Sequence, residues 1–200
     1  MTVYHRFSVI TSDTHQRYDS GINVIPESNH WGTHWNQLEI YNPDLFDEGS
    51  NCLYLDQDCI IIGNIDFFTK PYHGALAGLI DCDWIFHPQY NGQIMYNSGI
   101  TRWYPNHATA WLYNFYNTDN GKRRGQPLVY RDQQFTQFEF KQHEWKLDYL
   151  QDIHPGKIMG YRNEWLKQPE NRQDCAIITF AGHPKPHEIT DTKLLEYWKL

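Results

Sequence analysis

The chain has 200 residues, of which 40% are hydrophobic and 16% aromatic, and its 17 Lys and Arg against 24 Asp and Glu give a formal net charge of −7. This length predicts one domain over residues 1–200, and the acidic balance excludes a general nucleic-acid or membrane-surface binder, because both need surplus basic charge. The aromatic content excludes a disordered chain and favours either a ring-packed core or sugar binding through ring stacking.

Strand and helix patterns alternate along the chain. Apolar runs predict strands, and apolar residues at helical spacing predict helices. In chain order, the predicted elements are strands at 3–10 and 22–25, a helix at 33–41 with Thr33 as N-cap, strands at 52–55, 59–62, 75–80 and 94–103, a helix at 106–118, a mobile loop at 120–130, a strand at 176–180 and a last helix from 190 or 191 to about 199. The alternation predicts an α/β fold with a mostly parallel sheet flanked by helices.

The cysteines and apolar runs indicate the compartment. The four cysteines (Cys52, Cys59, Cys82 and Cys175) form no C-x-x-C pair, which predicts reduced, mostly buried thiols and excludes a zinc knuckle. The first 20 residues lack the apolar core of a signal peptide, and no apolar run reaches the roughly 20 residues that a membrane span needs. The sequence therefore predicts a soluble cytoplasmic protein without a membrane span.

Two acidic residues follow directly on an apolar strand. Asp56 and Asp58 come after the strand at 52–55, and residues two apart in an extended chain face the same side. Open α/β sheets bind ligands at the carboxyl ends of their strands. Like charges held together repel unless a cation lies between them, and hard oxygen ligands suit Mn²⁺ or Mg²⁺ bridging to phosphate. A turn with two solvated aspartates is the alternative that this triplet leaves open.

The acid pair lies in the run YLDQDCIIIGNIDFF at 54–68. This run resembles a segment of GT-A glycosyltransferases, and in particular of glycosyltransferase family 8, whose pattern is roughly Y-L-D-x-D-x-x-x-x-G-x-[LI]-D-x-[LF]-[FW]. Further similar blocks follow the family's order, namely HWNQLEIY at 34–41, MYNSGITRW at 95–103, RDQ at 131–133 and IITFAGHPKPH at 177–187. The resemblance implies a GT-A-like fold with a Rossmann-like sheet, and transfer of a hexosyl group (EC 2.4 class) from a nucleotide sugar to an unidentified acceptor with retention.

The resemblance also implies how the donor diphosphate is held. Asp56 and Asp58 would hold Mn²⁺ or Mg²⁺ on the diphosphate, with Asp56 also close to the donor ribose. Lys185 would contact the diphosphate as a second cation, and Gly182 would let the backbone approach the phosphates closely. The ion would neutralise the leaving nucleoside diphosphate.

By the same resemblance, four residues would handle the donor sugar. Asn97 and Ser98 would line the sugar pocket, Asp132 would bond sugar hydroxyls, and Gln133 would stand beside the reacting anomeric carbon. A glutamine is a poor nucleophile, which favours stabilisation of an oxocarbenium-like transition state over a covalent intermediate. Four aromatic residues flank the predicted site and are candidates for sugar stacking, namely Trp31, Trp35, Tyr96 and Trp103.

Three departures from the family pattern are expected to matter. Thr179 or Ala181, depending on the register, stands where the family has a histidine ion ligand, and Gln37 stands where a lysine is usual. The family's first nucleotide-binding strand has no counterpart, so the chain is expected to be N-terminally short, with an exposed sheet edge that a second copy or another chain could cover. Two alternatives therefore stay open, a non-catalytic sugar- or nucleotide-binding relative and one half of a split enzyme.

Overall fold

The computed structural model of the chain describes residues 6–13, 16–81, 94–128 and 131–198. Within these ranges the strands are β1 (Phe7–Thr11), β2 (Ile22–Pro26), β3 (Cys52–Leu55), β4 (Cys59–Ile61), β5 (Leu76–Ile80), β6 (Tyr96–Trp103), β7 (Leu147–Tyr149), β8 (Ile158–Gly160) and β9 (Ile177–Thr179). The α-helices are α1 (His107–Tyr116), α2 (Asp119–Gly125), α3 (Arg131–Gln142), α4 (Leu150–Ile153) and α5 (Thr192–Trp198). The 3₁₀ helices span Thr33–Tyr41, Asp66–Thr69, Pro169–Asp174 and Pro186–Glu188, and a π-helical turn spans Tyr161–Trp165.

Parts of the predicted elements lie outside the described residues. These are residues 3–5 of the first predicted strand, 129 and 130 of the predicted loop, 199 of the last predicted helix, and Cys82. Of the other cysteines, Cys52 and Cys175 are buried and Cys59 is half-buried, and all three are free thiols, as predicted. Across the part of the chain that the structure describes, every helix is too short or too polar to cross a membrane.

The described strands form three hydrogen-bonded sheets. β1 and β2 pair in parallel, the second sheet has the order β3-β6-β5-β7, and the third has the order β4-β9-β8. The predicted α/β class is confirmed. The expectation of a mostly parallel sheet is wrong for these strands, because β6 runs antiparallel to both β3 and β5, and β4 runs antiparallel to β9.

The connections explain this mixture of strand directions. Parallel neighbours need a crossover of a dozen or more residues, usually a helix. Three α-helices separate β5 from β7, and this pair is parallel. Between β3 and β6 the described chain has only one helix, the short 3₁₀ helix Asp66–Thr69, and β6 pairs antiparallel with both β3 and β5. Reading every strand as part of a β-α-β unit therefore overestimated the parallel share.

The aromatic surplus goes largely into the core. Tyr96 and Trp103 on β6 are only 1% and 3% exposed, which leaves neither ring available to a sugar. Trp35 stacks on Tyr116 with ring centroids 4.4 Å apart, and Trp31 meets the same ring edge-on at 5.1 Å. For these four tryptophan and tyrosine candidates, the structure favours the ring-packed core over sugar stacking.

The predicted mobile loop at 120–130 is largely helical, because α2 occupies its first half. Its glycines serve close packing rather than chain flexibility. A Cβ atom on Gly121 would lie 2.1 Å from the Phe115 carbonyl oxygen, and one on Gly125 would lie 2.6 Å from the Trp35 ring. Only a glycine fits where backbones approach this closely.

The predicted helix at 33–41 is a 3₁₀ helix, and it supports the site. It begins after Gly32, which takes the N-cap position with φ 77° and no side-chain hydrogen bond, so the predicted cap at Thr33 is wrong. Leu38 is buried on its inner face, as the apolar spacing predicted. With the helix packed against the core, the Gln37 side chain contacts Ser98 of β6.

Candidate active site

Asp56 and Asp58 lie in a tight turn between β3 and β4. The Cys59 amide donates to the Asp56 carbonyl oxygen at 3.1 Å, and the Asp56 amide donates to the Gly99 carbonyl oxygen of β6 at 2.8 Å. The pair therefore stands at the carboxyl end of β3, as predicted. The same-face argument for an extended chain does not apply, because the chain turns at Gln57 and Asp58 and β4 continues into a different sheet.

The Asp56 carboxyl is half-buried among charged neighbours. Burial raises its pKa, and the Tyr54 hydroxyl opposes this rise by donating a 2.5 Å hydrogen bond to Asp56 Oδ1. The charge of Asp58 raises the same pKa, whereas Lys185 and His34 lower it. These opposing effects place two carboxylates and two basic groups within electrostatic range of one another. The two carboxylates repel each other, and the nearby basic groups offset that repulsion.

Lys185, which is distant from the acid pair in the sequence, contacts Asp58. Its ammonium group donates a hydrogen bond to Asp58 Oδ2, and its side chain is 33% exposed against 22% for Asp58. The loop after β9 holds the lysine in place, because the Lys185 amide donates to Glu188 Oε2 at 2.6 Å and His183 Nδ1 lies 2.8 Å from the same oxygen. The backbone of Lys185 is therefore held in place, and its flexible side chain ends at the acid pair.

The Asn-Ser-Gly segment of β6 lies beside the pair. The Asn97 side chain accepts from the Gly99 amide at 2.8 Å and donates to Asp81 Oδ2 at 3.1 Å. A Cβ atom at Gly99 would lie 3.0 Å from Asn97 Oδ1 and 3.5 Å from Asp56 Oδ2. The glycine therefore keeps open the space in front of the Asp56 carboxylate.

Ser98 joins three elements through its hydroxyl and carbonyl. Its Oγ lies 2.8 Å from Asp132 Oδ2 and 2.9 Å from Gln37 Oε1, and its carbonyl oxygen accepts from Gln37 Nε2 at 2.7 Å. Gln37, which stands where the family pattern has lysine, thus holds Ser98 at both ends. Asp132 and Ser98 are 4% and 3% exposed, so the network is buried.

Asp132 lies on the first turn of α3, and the fold makes its carboxyl group a weaker acid than an ordinary aspartate. Burial raises its pKa to about 7, and the charge of Asp56 adds to the rise. Hydrogen bonds from Ser98 and from the backbone at the start of α3 oppose it. Near neutral pH, the Asp132 carboxyl can therefore act as donor or acceptor toward the Ser98 hydroxyl.

Gln133 and Gly182 are the predicted site residues that the described contacts do not tie to the acid pair. Gln133 is half-buried on the first turn of α3, and among the described hydrogen bonds none joins its side chain to the other predicted site residues. Gly182 has φ 71°, a left-handed conformation that favours glycine. A Cβ atom there would meet Arg162 at an ordinary 3.7 Å, so the backbone conformation explains the glycine.

The donor set fits a divalent ion that shares its ligands with a substrate. Within the described residues, no group of three or more His, Cys, Asp or Glu side chains could hold a metal ion. His183 is paired with Glu188 and does not replace the histidine that the family pattern places near Thr179. Asp56 and Asp58 remain, and Mg²⁺ is commonly held by one or two carboxylates together with substrate phosphates.

Sequence reasoning missed two groups that support the site. Tyr54 lies two residues before Asp56 on the same strand face, so its hydrogen bond could have been expected from the period of a strand. Asp81 is 3% exposed and follows β5, just as Asp56 follows β3. An acidic residue directly after a buried strand was a usable signal in both places.

No protein-family model and no curated protein matches the chain. Solved structures do match. The galactosyltransferase LgtC, in complex with donor and acceptor sugar analogues, aligns with a TM-score of 0.59 and 13% identity over 90% of this chain and 75% of LgtC. An active-site Gln-to-Glu mutant of LgtC gives a TM-score of 0.60 at 13% identity over 89% and 75%. The chain has the GT-A glycosyltransferase fold.

A second glycosyltransferase shares this GT-A fold. GlyE from Streptococcus pneumoniae TIGR4 aligns with a TM-score of 0.55 and 17% identity over 90% of this chain and 47% of GlyE, so the chain spans about half the length of GlyE. Identities this low establish the fold alone, and one fold carries many functions. The activity must therefore be argued from the chain's own site.

Proposed function

We propose that the chain is a GT-A hexosyltransferase that moves a sugar from a nucleotide-sugar donor to an acceptor hydroxyl, with retention of configuration. One observation carries the proposal. Charged and polar side chains converge where β3 ends and β6 begins, namely those of Asp56, Asp58, Lys185 and the Asn97–Gly99 segment. The chain as a whole has the fold of sugar-transferring enzymes. Acid pair, cation and hydroxyl-binding groups are the parts that a nucleotide-sugar site requires.

In this proposal Asp56 and Asp58 hold Mn²⁺ or Mg²⁺ together with the donor diphosphate. When bound, the ion would supply Lewis-acid neutralisation of the charge that develops on the leaving nucleoside diphosphate. The Tyr54 hydroxyl orients Asp56 by its 2.5 Å hydrogen bond. The open space at Gly99 lets phosphate or sugar oxygens approach the carboxylates.

The diphosphate is further held by Lys185. Its ammonium already lies at Asp58, and a lysine stem has the flexibility to turn toward a phosphate oxygen. A charge-assisted hydrogen bond of this kind is stronger than a neutral one. Gly182, in the same loop, leaves the backbone free of a side chain where the phosphates would approach.

The donor sugar would lie beside the buried network of β6 and α3. The half-buried Asn97 would offer its amide to a sugar hydroxyl, whereas Ser98 and Asp132, which are only 3% and 4% exposed, would support that part of the pocket from beneath. In the transfer, the bond between the anomeric carbon and the diphosphate oxygen breaks, and the electron pair leaves with the nucleoside diphosphate. The acceptor oxygen bonds to that carbon, and its proton passes to the departing diphosphate oxygen. Gln133 is proposed to stabilise the positively charged carbon, and LgtC likewise has a glutamine in its active site.

Hydrolysis of nucleotide sugars without an acceptor tests the proposal. We expect slow, Mn²⁺-dependent release of nucleoside diphosphate from one member of a panel of UDP-, GDP-, CDP- and ADP-sugars. Asp58→Ala should abolish this release. Asp174→Asn is the matched control, because Asp174 is 67% exposed and pairs with Lys157 outside the site.

Two results would contradict the proposal. If the full panel gives neither turnover nor thermal stabilisation with Mn²⁺, the chain has no nucleotide-sugar site. Stabilisation by a nucleotide without turnover would instead favour the non-catalytic binding relative.

A further inference from the structure

Lys185 donates a hydrogen bond to Asp58, one of the two carboxylates that would hold the divalent ion. We propose that Lys185 and the divalent ion compete for Asp58. When the donor diphosphate binds the Lys185 ammonium, it frees the Asp58 carboxylate to bind the metal ion. The inference rests on the proposed function and deepens it. It predicts that metal ion and diphosphate bind cooperatively, and that the metal alone binds weakly.

The first support is the ion pair itself. The Lys185 ammonium donates to Asp58 Oδ2, and both side chains are mostly shielded, with 33% and 22% exposed. Charges in partly shielded positions attract more strongly than charges on an open surface. A divalent ion approaching Asp58 meets a carboxylate that already has a cation, and both cations repel each other.

The second support is the shortage of other ligands. Asp56 Oδ1 already accepts a hydrogen bond from Tyr54. The described residues contain no group of three or more Asp, Glu, His or Cys side chains that could hold a metal ion. Magnesium prefers six oxygen ligands in near-ideal octahedral geometry. Two carboxylates, one of them shared with Lys185, are a weak site until phosphate oxygens are added.

The third support is the mechanics of the loop that carries the lysine. The Lys185 amide is tied to Glu188 Oε2 at 2.6 Å, and the 3₁₀ helix Pro186–Glu188 follows immediately. The backbone is therefore anchored, while the four-carbon stem is flexible. A diphosphate oxygen offers the ammonium a new acceptor, so the lysine can leave Asp58 by a side-chain rotation without rearranging the loop.

The test measures equilibrium binding rather than turnover. Mn²⁺ binding to the full chain is followed by electron paramagnetic resonance of free Mn²⁺, alone and with UDP, GDP or ADP, after correction for Mn²⁺ bound by the nucleotide in solution. We expect the tightest of these nucleotides to increase Mn²⁺ affinity by 5- to 150-fold, about the usual range of coupling between sites.

Lys185→Met separates the inference from a simple phosphate contact. Competition predicts that Mn²⁺ alone binds this variant about tenfold more tightly than the unmodified chain, because the competing cation is gone. Lys185→Arg, which keeps the charge, should not show the gain. Lys157→Met is the matched control, since Lys157 pairs with Asp174 at 3.9 Å outside the site.

The reciprocal measurement uses Asp58→Asn with EDTA present. Releasing Lys185 from its carboxylate should make metal-free nucleotide bind several-fold more tightly, and Asp174→Asn should not. This second variant keeps the inference testable if Lys185→Met does not fold. Unchanged Mn²⁺ affinity in Lys185→Met, or unchanged nucleotide affinity in Asp58→Asn, overturns the competition while the proposed function stands. Failure of the unmodified chain to bind either Mn²⁺ or any of the nucleotides overturns both.

Discussion

Asp132 allows a quantitative test of how the fold treats a buried acid. In the folded chain its pKa is about 7, against 3.8 for an ordinary aspartate, because the carboxyl is 4% exposed and lies near the Asp56 charge. The folded state therefore binds this proton more tightly than the unfolded state, and stability falls as pH rises from about 4 to about 7. At about 1.36 kcal/mol per pKa unit, the carboxylate costs about 4 kcal/mol above pH 7.

Asp132→Asn removes this ionisation and keeps a polar group facing Ser98. We expect the free energy of unfolding of the variant, relative to the unmodified chain, to rise by about 4 kcal/mol between pH 4 and pH 8. Urea denaturation across this pH range measures the difference. Asp174→Asn, at an exposed position, should show a difference that changes little with pH. A pH-independent difference for Asp132→Asn would refute the buried-acid reasoning.

Three further predictions concern one hydrogen bond at the site and two features of the packing elsewhere in the fold. Tyr54→Phe removes the hydroxyl that donates to Asp56. Hydrogen bonds to charged groups contribute about 1.5–3 kcal/mol, so kcat/KM for nucleotide-sugar hydrolysis should fall at least tenfold. An unchanged kcat/KM would exclude a role for this hydrogen bond. Gly121→Ala would place a Cβ atom 2.1 Å from the backbone of α1, and we expect a loss of about 1–3 kcal/mol in urea denaturation, with Gly21→Ala, which has open space, as the neutral control. Burial lowers the pKa of His154 to about 4, so its contribution to stability is complete above about pH 6.5 and is lost as pH falls through 4. His154→Leu should therefore reduce the loss of unfolding free energy at acid pH. An unaltered acid side of the curve of unfolding free energy against pH would contradict this reasoning.

The acidic balance of the chain acquires a local meaning at this site. Three carboxyl groups, those of Asp56, Asp58 and Asp132, influence one another there, and Lys185 neutralises one of them. Burying this much like charge is unfavourable for stability. Perturbed acids are informative about function, and here they support the proposed cation site.

The sequence alone was sufficient for the parts of the site that are contiguous in the chain. The apolar strand β3 and its following acid pair, and the Asn-Ser-Gly segment on β6, could be located because strand periodicity and a 15-residue pattern act over short distances. The resemblance to GT-A enzymes likewise depended on short blocks in a fixed order, and the fold comparison confirms that fold.

Only the tertiary structure decided what those blocks touch. Lys185 meets Asp58 across 127 residues of chain, and Gln37 and Asp132, which are far apart in the sequence, both contact the Ser98 hydroxyl. The same holds for α2, whose glycines predicted a loop until their close contacts with α1 and Trp35 were known. Local patterns report on neighbouring residues, whereas pairing direction, burial and charge coupling depend on contacts between distant segments. For that reason composition could reveal an acidic, ring-rich domain, and only the fold could show the rings in the core and the acids gathered around a lysine.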